Sequence, residues 1–305
     1  VYAVRDSRAP AGFSGFLPIS RNLHWSRSRN EFHTYCTAAG RLGLSDYVGF
    51  VCDPELETSA INALGAHIAM MPWARLSLRY EPTERRAQIF AKAFESEEFS
   101  VNWPEYRINQ GETNQLVCPV LELTDDYDAF VATLGQRTRK MMRRSERRFQ
   151  ALEGHRYHVS KPDEVERDSD KLLALWAQKW QDQKSPAKIK ELTNRYRDML
   201  HRSSRLGLLY MVSMWQGDRM LGATAHLVDQ KERRLHSLIE GRDAEFDNMS
   251  IGMLLHQFSV RQAIRANCTS YDFGHGDATY KYRLGAQDQE VTSLSITRQS
   301  TQPKS

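Results

Sequence analysis

The spacing of apolar and polar positions predicts a chain that mixes short strands with amphipathic helices. In the first half, apolar residues recur at helical spacing over 55–70 and 84–94, and 116–123 has the pattern of a strand. A strongly basic helix is predicted over 136–152, and Gly154 follows it as a helix-ending residue. We therefore expect a domain boundary at Gly154.

The second half predicts the order β-α-α-β-β-β-α-β, beginning with an alternating strand at 155–160. Its three consecutive strands are joined by turns of hairpin length, and a helix then leads to a crossover strand. This order implies a mixed sheet with helices on both faces. The predicted fold class is α/β (α+β), with domains over 1–153 and 154–299. A last strand is expected at 290–297, with a tail over 300–305.

The start of the chain predicts a hairpin. Residues 1–5 alternate, residues 7–12 are rich in turn formers, and residues 13–18 are apolar again. Because Val1 falls inside a strand pattern, we expect the first domain to be truncated at its N-terminus.

Composition narrows the class of protein without naming its activity. Hydrophobic residues make up 40% and charged residues 26%, which is typical of a globular protein. No apolar run is long enough to cross a bilayer. The four cysteines are isolated in the sequence, so we do not expect a zinc or iron–sulfur site. We expect four free thiols in a reducing cytoplasm.

A predicted helix N-terminus at 248–252 offers one candidate binding site. A strand ends near Gly241, a polar loop follows, and Ser250 is the predicted cap of a helix that has Gly252 in its first turn. Free backbone N–H groups at such a terminus suit a phosphate or pyrophosphate. The alternative is a capped helix with a small residue for packing. Glu240, at the end of the preceding strand, could serve as a base.

The segment 272–281 is the densest cluster of candidate chemistry. It directly follows a strand, where open α/β sheets place their ligands. It offers three proton acceptors, a hydroxyl donor and a cation: Asp272, His275, Asp277, Tyr280 and Lys281. Acyl transfer to an amine needs a base for the attacking nitrogen and an acid for the leaving thiolate. The alternative is a glycine-rich loop whose Asp residues satisfy turn amides.

The basic helix could bind phosphates. Residues 137–148 contain seven Lys or Arg against one acid, Glu146. Arg144 lies on the shared basic face, which suits a nucleotide, CoA or nucleic acid. A solvated surface is the alternative, and no aromatic residues interleave with the cations as RNA binding favours. Trp176 and Trp180, four residues apart, fit a packed core at least as well as a ligand platform.

These motifs together resemble a known family. The residues are Arg139–Arg144, Leu175-Trp176-x-x-x-Trp180, Ser250-Ile251-Gly252, and Asp272-Phe273-x-x-Gly276-Asp277-x-x-Tyr280-Lys281. The C-terminal half is similar to the GNAT-type acetyltransferase domain of the CelD type, associated with bacterial cellulose and exopolysaccharide gene sets. It is also related to the FemAB aminoacyltransferases. The resemblance covers about 116–297.

The resemblance implies tandem GNAT-like domains and transfer of an acyl group from acyl-CoA, without a metal. The acceptor would be an amine or hydroxyl of a polysaccharide, cell-envelope or small-molecule compound in the cytoplasm. From the motifs and the resemblance together, the candidate residues are catalytic Asp277, Tyr280, His275 and Glu240; cofactor-binding Asn248, Ser250, Ile251 and Gly252; and substrate-binding Lys281, Asp272, Trp176 and Arg144. His275 and Glu240 are candidates from their residue type and position, and the resemblance does not assign them a catalytic role.

Two alternatives remain at the level of sequence. Ser-Ile-Gly is shorter than the glycine-rich loop of ordinary GNAT enzymes, so an acyl carrier protein or an aminoacyl-tRNA could be the donor. An aminoacyl-tRNA donor would make the chain a FemAB-like transferase. A non-catalytic binding protein on the same fold is the other alternative.

Overall fold

The computed structural model describes residues 1–27, 30–40 and 45–299, apart from the side chains of Asp247 and Asn248. The strands are β1 (Tyr2–Arg5), β2 (Phe13–Leu17), β3 (Ile19–Ser26), β4 (Glu31–Ala38), β5 (Val51–Cys52), β6 (Arg75–Glu81), β7 (Phe99–Asn102), β8 (Arg107–Ile108), β9 (Thr113–Asn114), β10 (Val117–Glu122), β11 (His155–Val159), β12 (Leu209–Gln216), β13 (Arg219–Asp229), β14 (Arg234–Arg242), β15 (Ser270–Asp272), β16 (Gln287–Glu290) and β17 (Thr292–Arg298). The helices are α1 (Glu57–Met70), α2 (Glu84–Ala91), α3 (Tyr127–Thr133), α4 (Gln136–Gln150), α5 (Val165–Trp180), α6 (Pro186–Arg205), α7 (Ile251–Arg265) and α8 (Thr279–Arg283). Short 3-10 turns occur at Lys92–Phe94 and Ala244–Met249.

The chain forms two compact units, whose boundaries differ from the predicted one. The first unit contains residues 1–117 and the returning segment from Glu290, and the second contains Cys118–Gln289. The division into units does not fall at Gly154, because β10 pairs with β15 and α4 packs on α7. Gly154 does end the basic helix, with a left-handed φ of 67°. The predicted tail over 300–305 lies outside the described residues.

The first unit is built on a mixed five-stranded sheet in the order β3-β4-β6-β17-β7. Strands β4 and β6 are parallel, and β17 fits antiparallel between β6 and β7. The expected N-terminal hairpin is present as β1 and β2, which join β5 in a separate three-stranded sheet. The apolar faces of α1 and α2 bury Ile61, Leu64 and Phe90.

The second unit has a seven-stranded sheet in the order β11-β12-β13-β14-β15-β10-β16. From β11 to β15 the elements follow the predicted order β-α-α-β-β-β-α-β, which is confirmed. Strands β14 and β15 are parallel, and β11 to β14 are antiparallel neighbours. The sheet is therefore mixed, as expected from a crossover through α7.

Helices cover both faces of this sheet. Helices α5 and α6 form one core cluster with β12, β13 and β14, and α7 contributes to two clusters on the other face. Gly241 in β14 permits the close approach of α5, because a Cβ there would lie 2.6 Å from the carbonyl oxygen of Leu172. Among the described residues, no helix combines the length and apolarity that a bilayer crossing requires.

The first unit buries a carboxyl group at the end of β6. Glu81 is fully buried, and the Phe50 N–H donates to its Oε2 at 3.2 Å. Burial raises the pKa of Glu81 to about 7, against the opposing effects of the backbone N–H groups of Phe50 and Thr83 and the charge of Arg86. Between pH 4.5 and about 7, the folded protein therefore keeps a proton on this carboxyl that the unfolded chain has lost.

The Glu81→Gln substitution tests this burial. Between the ordinary pKa near 4.5 and about 7, the wild-type protein loses stability as the pH rises, because only the folded state retains the proton. At pH 8 we expect the variant to exceed the wild type in free energy of unfolding by up to about 3 kcal/mol, from ~1.4 kcal/mol per pKa unit. At pH 4 the two should be nearly equal.

Urea denaturation from pH 4 to pH 8 measures this difference. The control is Glu97→Gln, which changes an exposed carboxyl of the same unit and should follow the wild type throughout. A Glu81→Gln variant whose stability falls with pH as steeply as the wild type would contradict the assignment.

Candidate active site

The parallel pair β14–β15 ends unevenly at the carboxyl ends of its strands. Pairing runs from Arg234–Ser270 to His236–Asp272, where β15 ends, but β14 continues to Arg242. In the described structure, the last six residues of β14 therefore pair only with β13. This uneven end of the sheet is the kind of place where open α/β sheets bind ligands.

A β-bulge in β14 sets the direction of the side chains at this place. The pairing of β13 with β14 shifts between Ala225 and His226, which leaves Leu238 as an extra residue. A bulge re-aims the side chains that follow it. Beyond it, Ile239 packs in the core against α5 and α6, whereas Glu240 contacts α7.

The first turn of α7 lies against Glu240. A Cβ on Gly252 would lie 2.9 Å from Oε1 of Glu240 and 3.4 Å from Nη1 of Arg242. Ser250 precedes the helix as predicted, but its φ of 54° is left-handed and its side chain makes no capping hydrogen bond. The helix N-terminus, a carboxylate and a guanidinium therefore meet at one point.

A chain of hydrogen bonds leads from Glu240 into the core. Glu240 Oε2 lies 3.2 Å from Nε2 of His256, whose Nδ1 lies 2.9 Å from the hydroxyl oxygen of Tyr271. The same hydroxyl is 3.1 Å from Nε2 of His226, and Nδ1 of His226 is 3.1 Å from the carbonyl oxygen of Tyr210. The chain joins α7 to four neighbouring strands.

The direction of each hydrogen bond follows from its ends. Burial lowers the pKa of His226 to about 3, so its ring is neutral. Its Nδ1–H must donate to the carbonyl of Tyr210, and its Nε2 then accepts from the hydroxyl of Tyr271. The oxygen of Tyr271 accepts from Nδ1–H of His256. A further proton must then lie between Nε2 of His256 and Oε2 of Glu240, because an unprotonated nitrogen and a carboxylate oxygen would repel each other at 3.2 Å.

The environment of Glu240 favours its charged form. Burial acts to raise the pKa of Glu240, but the hydrogen bond from His256 and the charges of His256, Lys179 and Arg242 outweigh it. The pKa is therefore lowered from its usual value. At neutral pH Glu240 is therefore a carboxylate that can accept the hydrogen bond from His256.

Tyr280 closes the other side of the same cluster. Its ring stacks on the imidazole of His256, with centroids 5.0 Å apart and an interplanar angle of 17°. Burial and the negative charge of Glu240 raise the pKa of Tyr280, against the opposing charge of Arg242. Tyr280 is therefore protonated at neutral pH and can donate a hydrogen bond.

The glycine loop between β15 and α8 is held from inside. Lys281 is buried, and its Nζ donates to the carbonyl oxygens of Gly274 at 2.7 Å and His275 at 2.8 Å. Asp272 is also buried; its Oδ1 accepts from the Gly274 N–H, and its Oδ2 lies 3.1 Å from Nδ1 of His236. Both charged groups therefore act in shaping the loop.

His275 and Asp277 interact with residues outside this cluster. Nδ1 of His275 is 3.2 Å from the Sγ of Cys118 on β10, which is the strand on the far side of β15 from β14. Asp277 is half-buried and carries its charge near Tyr282. The structure thus brings together Glu240 and Tyr280, and directs His275 elsewhere.

The remaining predicted residues have diverse positions. Trp176 is buried in the core with α6, where its ring lies 5.5 Å from that of Tyr196. Arg144 is exposed on α4. Ile251 is buried, and the side chain of Asn248 lies outside the described part of the chain.

His256 is the functional candidate that the sequence did not single out. It stands four residues after Gly252, so both lie on the face of α7 that meets Glu240. This four-residue spacing from Gly252 is the feature of the sequence that could have identified His256. His226 and Tyr271 have no comparable local signal, because their partners are distant in sequence.

One group of side chains in the described structure could hold a metal ion by proximity. Candidate ligand atoms of His158, Glu164 and Asp168 lie within 4.8 Å of one another. These atoms are already used, because Asp168 accepts from Ser160 and Arg167 and Glu164 contacts His158. The arrangement fits a network of hydrogen bonds and ion pairs around the start of α5.

Comparison with known proteins places this geometry in context. The chain is similar to the crystal structure of FemX, with 12% identity, a TM-score of 0.61 and coverage of 96% of this chain and 87% of that chain. It is also similar to L-PGS from Bacillus licheniformis, with 10% identity, a TM-score of 0.54 and coverage of 92% and 85%. No curated protein matches it by sequence.

Identities this low show a shared fold alone. The sequence match is more specific for the second unit, because residues 136–282 match the family model described as Acetyltransferase (GNAT) domain. That range spans α4 to α8 and includes Glu240, Gly252, His256 and Tyr280. Residues 136–282 are therefore similar to a GNAT acetyltransferase domain, and the chain has the mixed α/β fold that it shares with FemX.

Proposed function

We propose that the chain transfers an acyl group from acyl-CoA to an amine, or less favourably a hydroxyl, of a polysaccharide or cell-envelope precursor. The single observation that carries this proposal is the meeting of Glu240, His256, Tyr280 and the N-terminus of α7 at the uneven end of β14 and β15. The acceptor class rests on the resemblance of the sequence motifs to the CelD type.

The proposed donor site is the first turn of α7. A pyrophosphate would accept hydrogen bonds from the backbone N–H groups that begin the helix, where the helix dipole also favours negative charge. Arg242 lies beside Gly252 and adds a positive charge. Because Gly252 has no side chain, a ligand can approach the backbone there closely.

In the proposed mechanism Glu240 is the general base. Its carboxylate would accept the proton that the attacking nitrogen loses as the bond to the acyl carbon forms. His256 holds the carboxylate at 3.2 Å and is itself held by Tyr271 at 2.9 Å, which restricts both rings to one orientation. A positioned base of this kind contributes about 10²- to 10⁴-fold in rate.

Tyr280 is proposed to act on the leaving group. The raised pKa of Tyr280 disfavours full proton transfer to a thiolate, whose ordinary pKa is about 8.5. A hydrogen bond from the hydroxyl to the departing sulfur requires no such transfer and would still stabilise its negative charge. Asp277 and His275 remain proposed contributors, and Lys281 and Asp272 would act on substrate through the loop they hold.

The proposed donor site is tested by ligand binding. Acetyl-CoA should raise the melting temperature, since a ligand that binds only the folded state stabilises it by about 2.7 kcal/mol at a hundred times its Kd. Gly252→Val should abolish this shift, because the added side chain would occupy the space beside Glu240 and Arg242. The control is Gly135→Val, where a Cβ would meet no atom within 4 Å.

Thermal-shift titrations with acetyl-CoA, longer acyl-CoAs and free CoA make this measurement, with a charged tRNA as the competing donor. Stabilisation by the charged tRNA and by no thioester would replace the CoA assignment with the aminoacyl alternative. Stabilisation by no donor would favour a non-catalytic binding protein.

The proposed general base is tested by substitution of Glu240. Glu240→Gln keeps the size of the side chain but cannot accept a proton, so we expect kcat to fall about 10²- to 10⁴-fold. The melting-temperature shift with acetyl-CoA should be retained, which separates chemistry from donor binding. Release of CoA thiol from acetyl-CoA, with a panel of amino sugars as acceptors, gives the rate.

Glu232→Gln is the matched control, because Glu232 is exposed in the turn between β13 and β14. Its kcat should equal that of the wild type. Equal turnover in Glu240→Gln and Glu232→Gln would remove Glu240 from the mechanism.

A further inference from the structure

The outer side of α7 faces a second concave surface, which we call the basic groove. It has a volume of about 810 Å³ and lies between α3, α4 and α7. Its lining residues are Tyr127, Asp128, Val131, Arg139, Lys140, Met142, Arg143, Arg144, Glu146, Arg147, Gln257 and Arg261. This volume is typical of a site for a small organic molecule.

The charges of the basic groove are unbalanced. Six of its lining side chains are cationic and two are carboxylates. Both oxygens of Glu146 are already engaged, by the hydroxyl of Tyr157 at 2.6 Å and the amide of Gln150 at 3.0 Å. Within the described structure no ion pair involves Lys140, Arg143 or Arg144, all of which are exposed. The groove therefore presents cations that an anion could bind.

Helix α4 carries this charge in an unfavourable arrangement. Cations spaced three and four residues apart repel one another along its face. Its first turn contains no acid, and its N-cap, Gly135, has no side chain to satisfy the backbone N–H groups. Negative charge near this end of the helix would relieve the repulsion and complement the helix dipole.

An independent observation points to a ligand in the same place. Gln257 is 4% exposed and lines the basic groove, and its Nε2 has no hydrogen-bond partner among the described residues. A buried amide without a partner costs folding free energy, so such groups are rare unless a ligand or water completes them. A phosphate oxygen in the groove would accept this hydrogen bond.

The basic groove is distinct from the cluster around Glu240. His256 and Gln257 are neighbours on α7, but His256 turns to the sheet and Gln257 turns to α4. The side of α7 that faces the groove also carries Arg261, whose guanidinium lies 4.5 Å from the ring centroid of Tyr127. The groove thus adds a second binding surface to one helix.

We propose that the basic groove binds a small organic ligand that carries two or more phosphate groups. Guanidinium groups match phosphate oxygens in pairs, and several of them at one site suit more than a single phosphate. The limited volume and the two carboxylates favour a compact ligand over an extended nucleic-acid backbone. The ligand's phosphates could belong to CoA or to a separate nucleoside diphosphate.

The test measures binding of pyrophosphate, UDP, CoA and a single-stranded RNA oligonucleotide by calorimetry at 0.15 M salt. Pyrophosphate and UDP should bind the wild type, and the double variant R143A/R144A should bind them at least tenfold more weakly. The control is R202A/R205A, which removes two exposed arginines from α6 in the same unit and should leave the affinity unchanged.

Gln257→Leu separates ligand binding from general charge. The variant removes the buried amide and keeps a side chain of similar size, so the free protein should be at least as stable as the wild type. Its affinity for pyrophosphate should nevertheless fall severalfold. Retained affinity in both Gln257→Leu and R143A/R144A would overturn the assignment of the groove.

The ligand panel identifies the source of the phosphates. Competition between CoA and pyrophosphate that depends on Arg143 and Arg144 would place the donor's phosphates in the groove instead of at the first turn of α7, and independent binding would assign the groove to a second ligand. RNA that binds more than tenfold tighter than UDP would overturn the proposal. These outcomes do not depend on Glu240, so the groove can fail while the proposed acyl transfer stands, and the reverse.

Discussion

The hydrogen-bonded chain from Tyr210 through His226, Tyr271 and His256 to Glu240 is the constraint on which the second unit depends. Its members come from α7 and from β12 to β15, so satisfying these buried polar groups fixes the helix against the sheet. In the low dielectric of the protein interior, a buried polar group without a hydrogen-bond partner costs folding free energy, and each hydrogen bond that forms is stronger than in water. The apolar contacts of α7 and these hydrogen bonds together select one register of the helix on the sheet.

That register also determines the chemistry at the end of β14. With His256 facing the sheet, Gly252 comes to lie one turn earlier on the same face and meets Glu240. The neutral ring of His226 orients Tyr271, and Tyr271 orients His256, so the hydrogen bond from His256 to Glu240 is oriented by residues of the core. Structure and proposed mechanism therefore share the same hydrogen bonds, which is why a change at His226 could alter Glu240 without touching it.

Much of the fold could be predicted from sequence because local patterns carry it. Hairpin-length turns such as 216–218, and the regular helical spacing of α5 and α7, gave the correct order from β11 to β15. The domain boundary could not be found this way. Gly154 is a true helix-ending residue, but whether a helix packs with what precedes or follows it depends on contacts such as α4 with α7. The return of β17 to the first unit is equally non-local.

The same distinction explains which candidate residues the sequence identified. Glu240, Gly252 and Tyr280 stand at strand and helix ends, where chemistry is expected, and the structure brings them to one cluster. His256 lies inside a helix and looks like an ordinary polar position until its neighbours are known. Gln257 is the complementary case, because its buried amide has meaning only in relation to α4. His256 and Gln257 are adjacent on α7, yet one faces the sheet and the other faces the basic groove. The helix therefore contacts a polar core on one side and a cationic groove on the other.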